Sequence, residues 1–364
     1  MTPPEQVPGH DLPWYRLQVR LHSWGSGWGN ASWPIKPFRW LSWAGFVSLL
    51  VASSPLAKQR RVRALVRLWA WEVWRRLVRR PIEIIFDNGV RLQFPPATML
   101  AGVVAATGSH EPMEQTFLLH VLRPGDLAVD VGANVGIYSL TLAGLGVKVW
   151  AFEPSSAIRP SLVNNVQLNS AEDSVRVLPF ALGAENGRAL FTADLEGTNH
   201  LVTGHVLGPT EAVEIRTLDD VVADPATGLT GEDIFFLKVD AEGEDESVLL
   251  GAQELLARCH PVVIVETWDG GRSVRTLLAS HGYRVYRYEV GRRKLVEYPS
   301  NWSGQANFIA VAATRAEQIT TRLANSPDRH LTPPTIRWMP FRGMPFRANS
   351  DSAAAQLRGQ ESSR

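Results

Sequence analysis

Between about residue 115 and residue 312 short apolar runs take turns with stretches of helical spacing. "LAVDV", "VKVWAF", "VRVLPF", "DIFFLKV" and "PVVIVE" predict strands near 127–131, 147–152, 175–180, 233–239 and 261–266. Strands alternating with helices are the order of a parallel sheet covered on both faces. Two later runs, "YRVYRYEV" and "NFIAVAAT", have no full helix between them and predict an antiparallel pair at one end of that sheet. Upstream, "PIEIIFDNGVRLQF" alternates about Asp87-Asn88-Gly89, a hairpin signal.

Residues 60–80 read differently. Val62, Leu65, Val66, Trp69, Val73 and Leu77 recur at helical spacing, eight arginines accompany one acid, Glu72, and Pro81 ends the helix. Two readings stand: the apolar stripe packs on the neighbouring domain, or it lies on an anionic membrane surface. Residues 1–58 are rich in Pro, Gly, Ser and Trp. The uncharged stretch from Trp40 to Ala57 is diluted by four serines, Gly45 and Pro55, and reads as a buried or interfacial segment in preference to a span. The expected division is an extension at 1–58, a basic amphipathic helix at 59–80, an α/β domain at 81–314 and a disordered tail at 315–364, where "MPFRGMPFR" repeats a short unit.

Composition narrows the function classes. A net charge of +1 carries no nucleic-acid footprint, and 45% apolar residues suit a packed domain. The single cysteine, Cys259, excludes an intrachain disulfide and a cysteine zinc cage. No metal ligand set is assigned; Glu266, at the end of the fifth strand, is read equally as a ligand for acceptor hydroxyls, as sharing a metal with Asp240, or as a cap. "MTPPEQVPGHD" lacks the layout of a secretory signal, so a cytoplasmic setting is expected, with peripheral membrane contact through residues 40–80 as the alternative reading of the helix.

The chemistry starts at "AVDVGANVGIYSL", a strand, a glycine turn and a helix. A dinucleotide turn needs G-x-G-x-x-G so that backbone approaches a pyrophosphate. Here Gly132, Asn134 and Gly136 depart from that spacing, and Asp130 closes the strand, which suits a cofactor with a positive ammonium group such as S-adenosylmethionine. Glu153, after the next strand, suits the hydroxyls of a ribose without choosing among nucleosides.

Four separated pieces, "PGDLAVDVGANVGIYSLTLA", "VWAFEPSSAIRPSLVNNVQLN", "VEIRTLDDVV" and "DIFFLKVDAEGEDESVLLGA" followed by "VVIVET", resemble the FkbM-type family of S-adenosylmethionine-dependent methyltransferases over residues 85–312. The resemblance implies a class I, Rossmann-like fold: an α/β, seven-stranded, mostly parallel doubly wound sheet with a reversed final strand. It also implies methyl transfer to a hydroxyl of a small molecule or glycan. Carried over, Asp130, Gly132, Asn134 and Gly136 line the methionine end of the cofactor, Glu153 holds the ribose, and Phe180 and Ala181 flank the adenine.

On the acceptor side, Lys238 and Asp240 share a strand face at its carboxyl end. Asp240 and Glu242 are the acid–base candidates, with Lys238 orienting them or stabilising a developing alkoxide; a structural Lys238–Asp240 ion pair is the plainer alternative. His200 is a loop candidate for a pocket base, Glu266 ends the next strand, and the His110-Glu111 segment is expected to close over the cofactor. A nicotinamide oxidoreductase lacks its second glycine here. A base-amino methyltransferase would end the fourth strand in a Pro-Pro-aromatic turn where this chain has Asp-Ala-Glu-Gly. A non-catalytic membrane-associated scaffold is the remaining alternative.

Overall fold

The computed structural model describes residues 60–338, apart from 97, 99, 193–208, 230–232, 268–270 and 303–305, together with some positions between 45 and 57. A helix, α1 (Arg61–Leu77), leads to a hairpin of β1 (Ile82–Ile85) and β2 (Arg91–Phe94), then to α2 (Leu100–Thr107) and α3 (Pro112–Val121). The main sheet begins with β3 (Leu127–Val131), α4 (Ile137–Ala143), β4 (Lys148–Phe152), α5 (Arg159–Leu168) and β5 (Val175–Leu178). A small side sheet follows, made of β6 (Ala181–Leu182), β7 (Gly187–Thr192) and β8 (Thr210–Arg216). After α6 (Leu218–Ala223) the chain returns to the main sheet with β9 (Ile234–Val239), α7 (Asp245–Leu250), α8 (Gln253–Cys259), β10 (Val262–Thr267) and α9 (Arg272–Ser280). It finishes with β11 (Tyr283–Glu289), β12 (Lys294–Glu297), β13 (Ala306–Ala312), α10 (Ala316–Ala324) and β14 (Thr335–Trp338).

The main sheet runs β12-β11-β13-β10-β9-β3-β4-β5. From β10 to β5 all neighbours are parallel, and β13 is antiparallel to both β10 and β11. β3 and β9 are buried throughout, because helices cover both faces and an apolar run can face a core on either side. Successive residues divide between the two cores: Phe236 joins one with Ala128 and Ile264, while Leu237 joins the other with Val129 and Val263. The chain leaves β3 toward β4 and later returns to its other side with β9. That reversal is a topological switch point, and open α/β sheets bind ligands outside the carboxyl ends of the strands at such a point.

Three expectations are corrected. The sheet has eight strands, not seven: β12 pairs antiparallel with β11 at the edge. The tail expected from 315 is ordered to residue 338. α10 buries Ile319 and Leu323, and β14 pairs with β1, setting Ile336 opposite Ile84. The packing reading of the α1 stripe, one of the two left open, is corrected: Ala64, Leu68 and Trp71 are buried, while Val62, Val66, Val73 and Leu77 are exposed and Leu65 and Trp69 half-buried. The buried stripe also has helical spacing, and it meets α2 closely because residue 102 is glycine; a Cβ there would come within 2.7 Å of the Trp71 ring. Among the described residues no helix is long and apolar enough to cross a membrane.

Candidate active site

The turn after β3 packs against the end of β9. Gly132 has φ +74, and a Cβ on it would lie 1.9 Å from the Asp240 carbonyl oxygen, so only glycine permits this approach. Asn134 (φ +52) and Gly136 (φ +93) also take left-handed conformations. Every N–H of the turn already has an acceptor within the protein. Gly132 and Ala133 donate to the Phe152 carbonyl, Asn134 to Glu153 Oε2, Val135 to Asn134 Oδ1 and Gly136 to the Ala133 carbonyl. A phosphate-binding turn aims these groups at its ligand; this one keeps none of them for an anion.

What the turn offers is carboxylate. Asp130 is fully buried, and its Oδ2 accepts from Ser139 Oγ at 2.6 Å, while Oδ1 has no hydrogen-bond partner among the described residues. Burial raises its pKa against the pull of Lys238 and Ser139. Glu153 accepts one N–H on each oxygen, from Asn134 and Ser155, both at 2.9 Å. Burial pushes its carboxyl up to about 7 despite those two bonds. Each oxygen retains a second lone pair for a hydroxyl. Phe180 lies just past β5, its ring edge-to-face with Phe152 and under the Arg216 guanidinium at 5.2 Å; Ala181 opens β6, in register with Ile215.

On the other side of the turn, Lys238 Nζ donates to Asp240 Oδ2 at 2.7 Å and sits 4.8 Å over the Tyr138 ring. Burial would lower the Lys238 pKa, but Asp240, Asp130 and Glu111 hold it above its ordinary value. It is therefore a fixed cation and unsuited to act as a base. Glu111 is a hub the sequence did not single out as one: Tyr138 Oη and His110 Nε2 meet its Oε2, and Asn307 Nδ2 donates to Oε1 at 2.6 Å. Burial alone would raise Glu111; His110, Lys238 and the Tyr138 hydrogen bond bring it down to about 2. Glu114, beside it, is pushed up to about 8 by burial and by the Glu111 charge. The expected His110-Glu111 segment thus lies against Tyr138 and Asn307, and its tie to Asn307 spans 196 positions of chain, beyond any local motif.

Glu242, held at φ +49, is raised to about 7 by burial and then by Asp240 and Asp245. Asp245 is raised to about 6 by burial, although it accepts from Ala241 N. Glu266 is raised well above its ordinary value by burial and by four neighbouring carboxylates, Asp240 first among them. The structure thus brings Asp130, Lys238, Asp240, Glu242 and Glu266 to one end of the sheet. His200 lies outside the described residues. Among those described, no cluster of His, Cys, Asp and Glu could hold a metal ion.

These carboxyls set a pH trend. Glu114, Glu153, Glu242 and Asp245 bind protons in the folded state at pH values where the unfolded chain has released them. Stability is then greatest below the unfolded pKa values and is lost as pH rises through the folded ones. The unliganded protein is expected to show a lower denaturation midpoint at about pH 8 than at about pH 5.5. Urea titrations at the two values check this, and a higher midpoint at the alkaline one would contradict it.

Residues 130–285 match the family described as the methyltransferase FkbM domain. Methyltransferase sdnD of Sordaria araneosa is 31% identical over 193 residues, 44% of this chain and 74% of that protein. The 31-O-demethyl-FK506 methyltransferase FkbM of Streptomyces tacrolimicus is 30% identical over 198 residues, 45% of this chain and 75% of its own. The chain belongs to the FkbM methyltransferase family. A crystal structure of methyltransferase FkbM from Methylobacillus flagellatus KT aligns at 17% identity with a TM-score of 0.35, over 71% of this chain and 62% of the other. This FkbM-type chain carries the family match across β3 to β11, the segment that contains both the glycine turn and the Lys238–Asp240 pair.

Proposed function

We propose that this protein is an S-adenosylmethionine-dependent O-methyltransferase acting on a hydroxyl of a small molecule or glycan. The observation that carries the cofactor is the turn itself: all five N–H groups from Gly132 to Gly136 are internally bonded, while the buried Asp130 Oδ1 awaits a donor. That set rejects a pyrophosphate and suits a cationic nucleoside carrying an ammonium group. Asp130 would hold that ammonium, Gly132, Asn134 and Gly136 would shape the turn beneath it, Glu153 would accept from the ribose hydroxyls, and Phe180 and Ala181 would border the base. When bound, the cofactor supplies a methyl group on a positive sulfur.

The rest falls to the chain. Methyl transfer to oxygen forms a C–O bond as the S–CH₃ bond breaks, and the hydroxyl proton needs an acceptor. Glu242 or Asp240 would take it, with Lys238 as the cation beside them. A relative named as a 31-O-demethyl-FK506 methyltransferase supports oxygen as the acceptor atom. We assign the activity to residues 81–314 together with α10 and β14, which pack onto that unit.

Calorimetric titration of S-adenosylhomocysteine into wild type, Asp130→Ala and Glu153→Ala is the test. Wild type is expected to bind in the micromolar range, and each folded variant at least about tenfold more weakly, roughly 1.4 kcal/mol. Tight NADH binding, with no response to S-adenosylhomocysteine, would overturn the reading.

A further inference from the structure

The outward stripe of α1 has no role in the reading above. Val62, Val66, Val73 and Leu77 are 77, 61, 54 and 79% exposed, with half-buried Trp69 between them. At 3.6 residues per turn these five side chains form one continuous ridge along the helix. They supply four of the nine large apolar side chains exposed among the described residues, so the apolar surface is concentrated here and not scattered.

Charge decides what suits the ridge. Arg60, Arg61 and Arg63 are exposed at its start, and Arg79 at its end, with Arg75, Arg76 and Arg80 partly buried nearby. The one acid of the helix, Glu72, is buried off the ridge and paired with Arg75 and Arg76 at 2.8 and 2.9 Å. At the start of the helix the arginines crowd one another: burial and then the charges of Arg63 and Arg60 lower the pKa of Arg67. A second copy seated on the ridge would set arginine against arginine. An anionic surface would receive the apolar side chains and neutralise the flanking cations together.

We propose that α1 docks this protein on an anionic phospholipid bilayer, with the exposed Val62, Val66, Val73 and Leu77 in the headgroup–acyl boundary and the exposed Arg60, Arg61, Arg63 and Arg79 on lipid phosphates. The opposite face of the helix is packed on α2, and four residues after α2 comes Glu111, the hub of the candidate site. Docking would therefore hold the candidate site at a defined height above the membrane.

The experiment is co-sedimentation of the full chain with phosphatidylcholine vesicles, with and without phosphatidylserine, at low and high salt. Wild type is expected to bind the phosphatidylserine vesicles at least about tenfold more tightly than the neutral ones, and to release in high salt. Val66→Asp/Val73→Asp should lose about tenfold or more while melting at the wild-type temperature, because both positions face solvent. Arg60→Glu/Arg61→Glu/Arg63→Glu should lose the preference for anionic lipid. Wild type that stays in the supernatant, or variants that sediment like it, would overturn the proposal. So would a lipid-free dimer in sedimentation velocity that Val66→Asp/Val73→Asp dissolves, since the ridge would then belong to a second copy.

Discussion

Replacing Lys238 with methionine is expected to destabilise the fold by about 3–5 kcal/mol, the range found when one partner of a buried ion pair is removed. Lys238 is 4% exposed and is the cation nearest Asp240, and its field also reaches Asp130 and Glu111. Without it, fully buried Asp130 and partly buried Asp240 keep their desolvation cost and lose their compensation. The loss should depend on pH with a definite sign. In the variant the native pKa of Asp130, already raised by burial, rises further without the Lys238 charge, so the native state binds a proton that the unfolded chain has released. Stability then falls as pH rises through that window, and the deficit relative to wild type grows. Urea titrations at acidic and alkaline pH measure it directly; a deficit independent of pH would mean the ammonium contributes packing alone. Lys238→Arg, which keeps the charge, should recover part of the loss. If methionine abolishes folding, a folded arginine variant preserves the comparison.

Much of the framework around this candidate site is legible in the amino-acid sequence. The strands stand out because β3 and β9 are covered on both faces and so form unbroken apolar runs. Asp130, Glu153 and Asp240 stand out because each follows or closes such a run, near the topological switch point. Where sequence and structure part, the causes are physical. On α1, two apolar stripes share one helix; Val62, Val66 and Val73 face outward, while Ala64, Leu68 and Trp71 are buried. Close approach across Gly102 decides it, and no periodicity within α1 contains that fact. β12 has a weak signal because an edge strand of Lys294, Leu295, Val296 and Glu297 buries none of its residues. The order past 315 comes from pairing with β1, a partner near the other end of the described chain. Glu111 shows the same limit, since Tyr138 and Asn307 reach it from a helix and from the reversed strand.

The division of labour between Asp240 and Glu242 can be settled by the pH profile of methyl transfer. We propose Glu242 as the general base: its carboxyl is raised to about 7, near an ordinary working pH, and proton transfer is most effective when the catalytic pKa lies there. Its left-handed backbone, uncommon for glutamate, aims the side chain at some cost that the surrounding fold must meet. A base must be deprotonated to act, so the rate should fall as pH drops below about 7. Glu242→Gln is expected to lower kcat/KM by about 10²–10⁴, to abolish that acidic limb and to leave S-adenosylhomocysteine affinity unchanged. Asp240→Asn should act differently. Asparagine can still accept from Lys238, so the geometry survives, but the negative charge that helps raise Glu242 is gone. The limb should then remain and move to lower pH, with a reduced plateau. Were the limb to vanish in Asp240→Asn and persist in Glu242→Gln, the base would be Asp240, and Glu242 would be left as the residue that positions it.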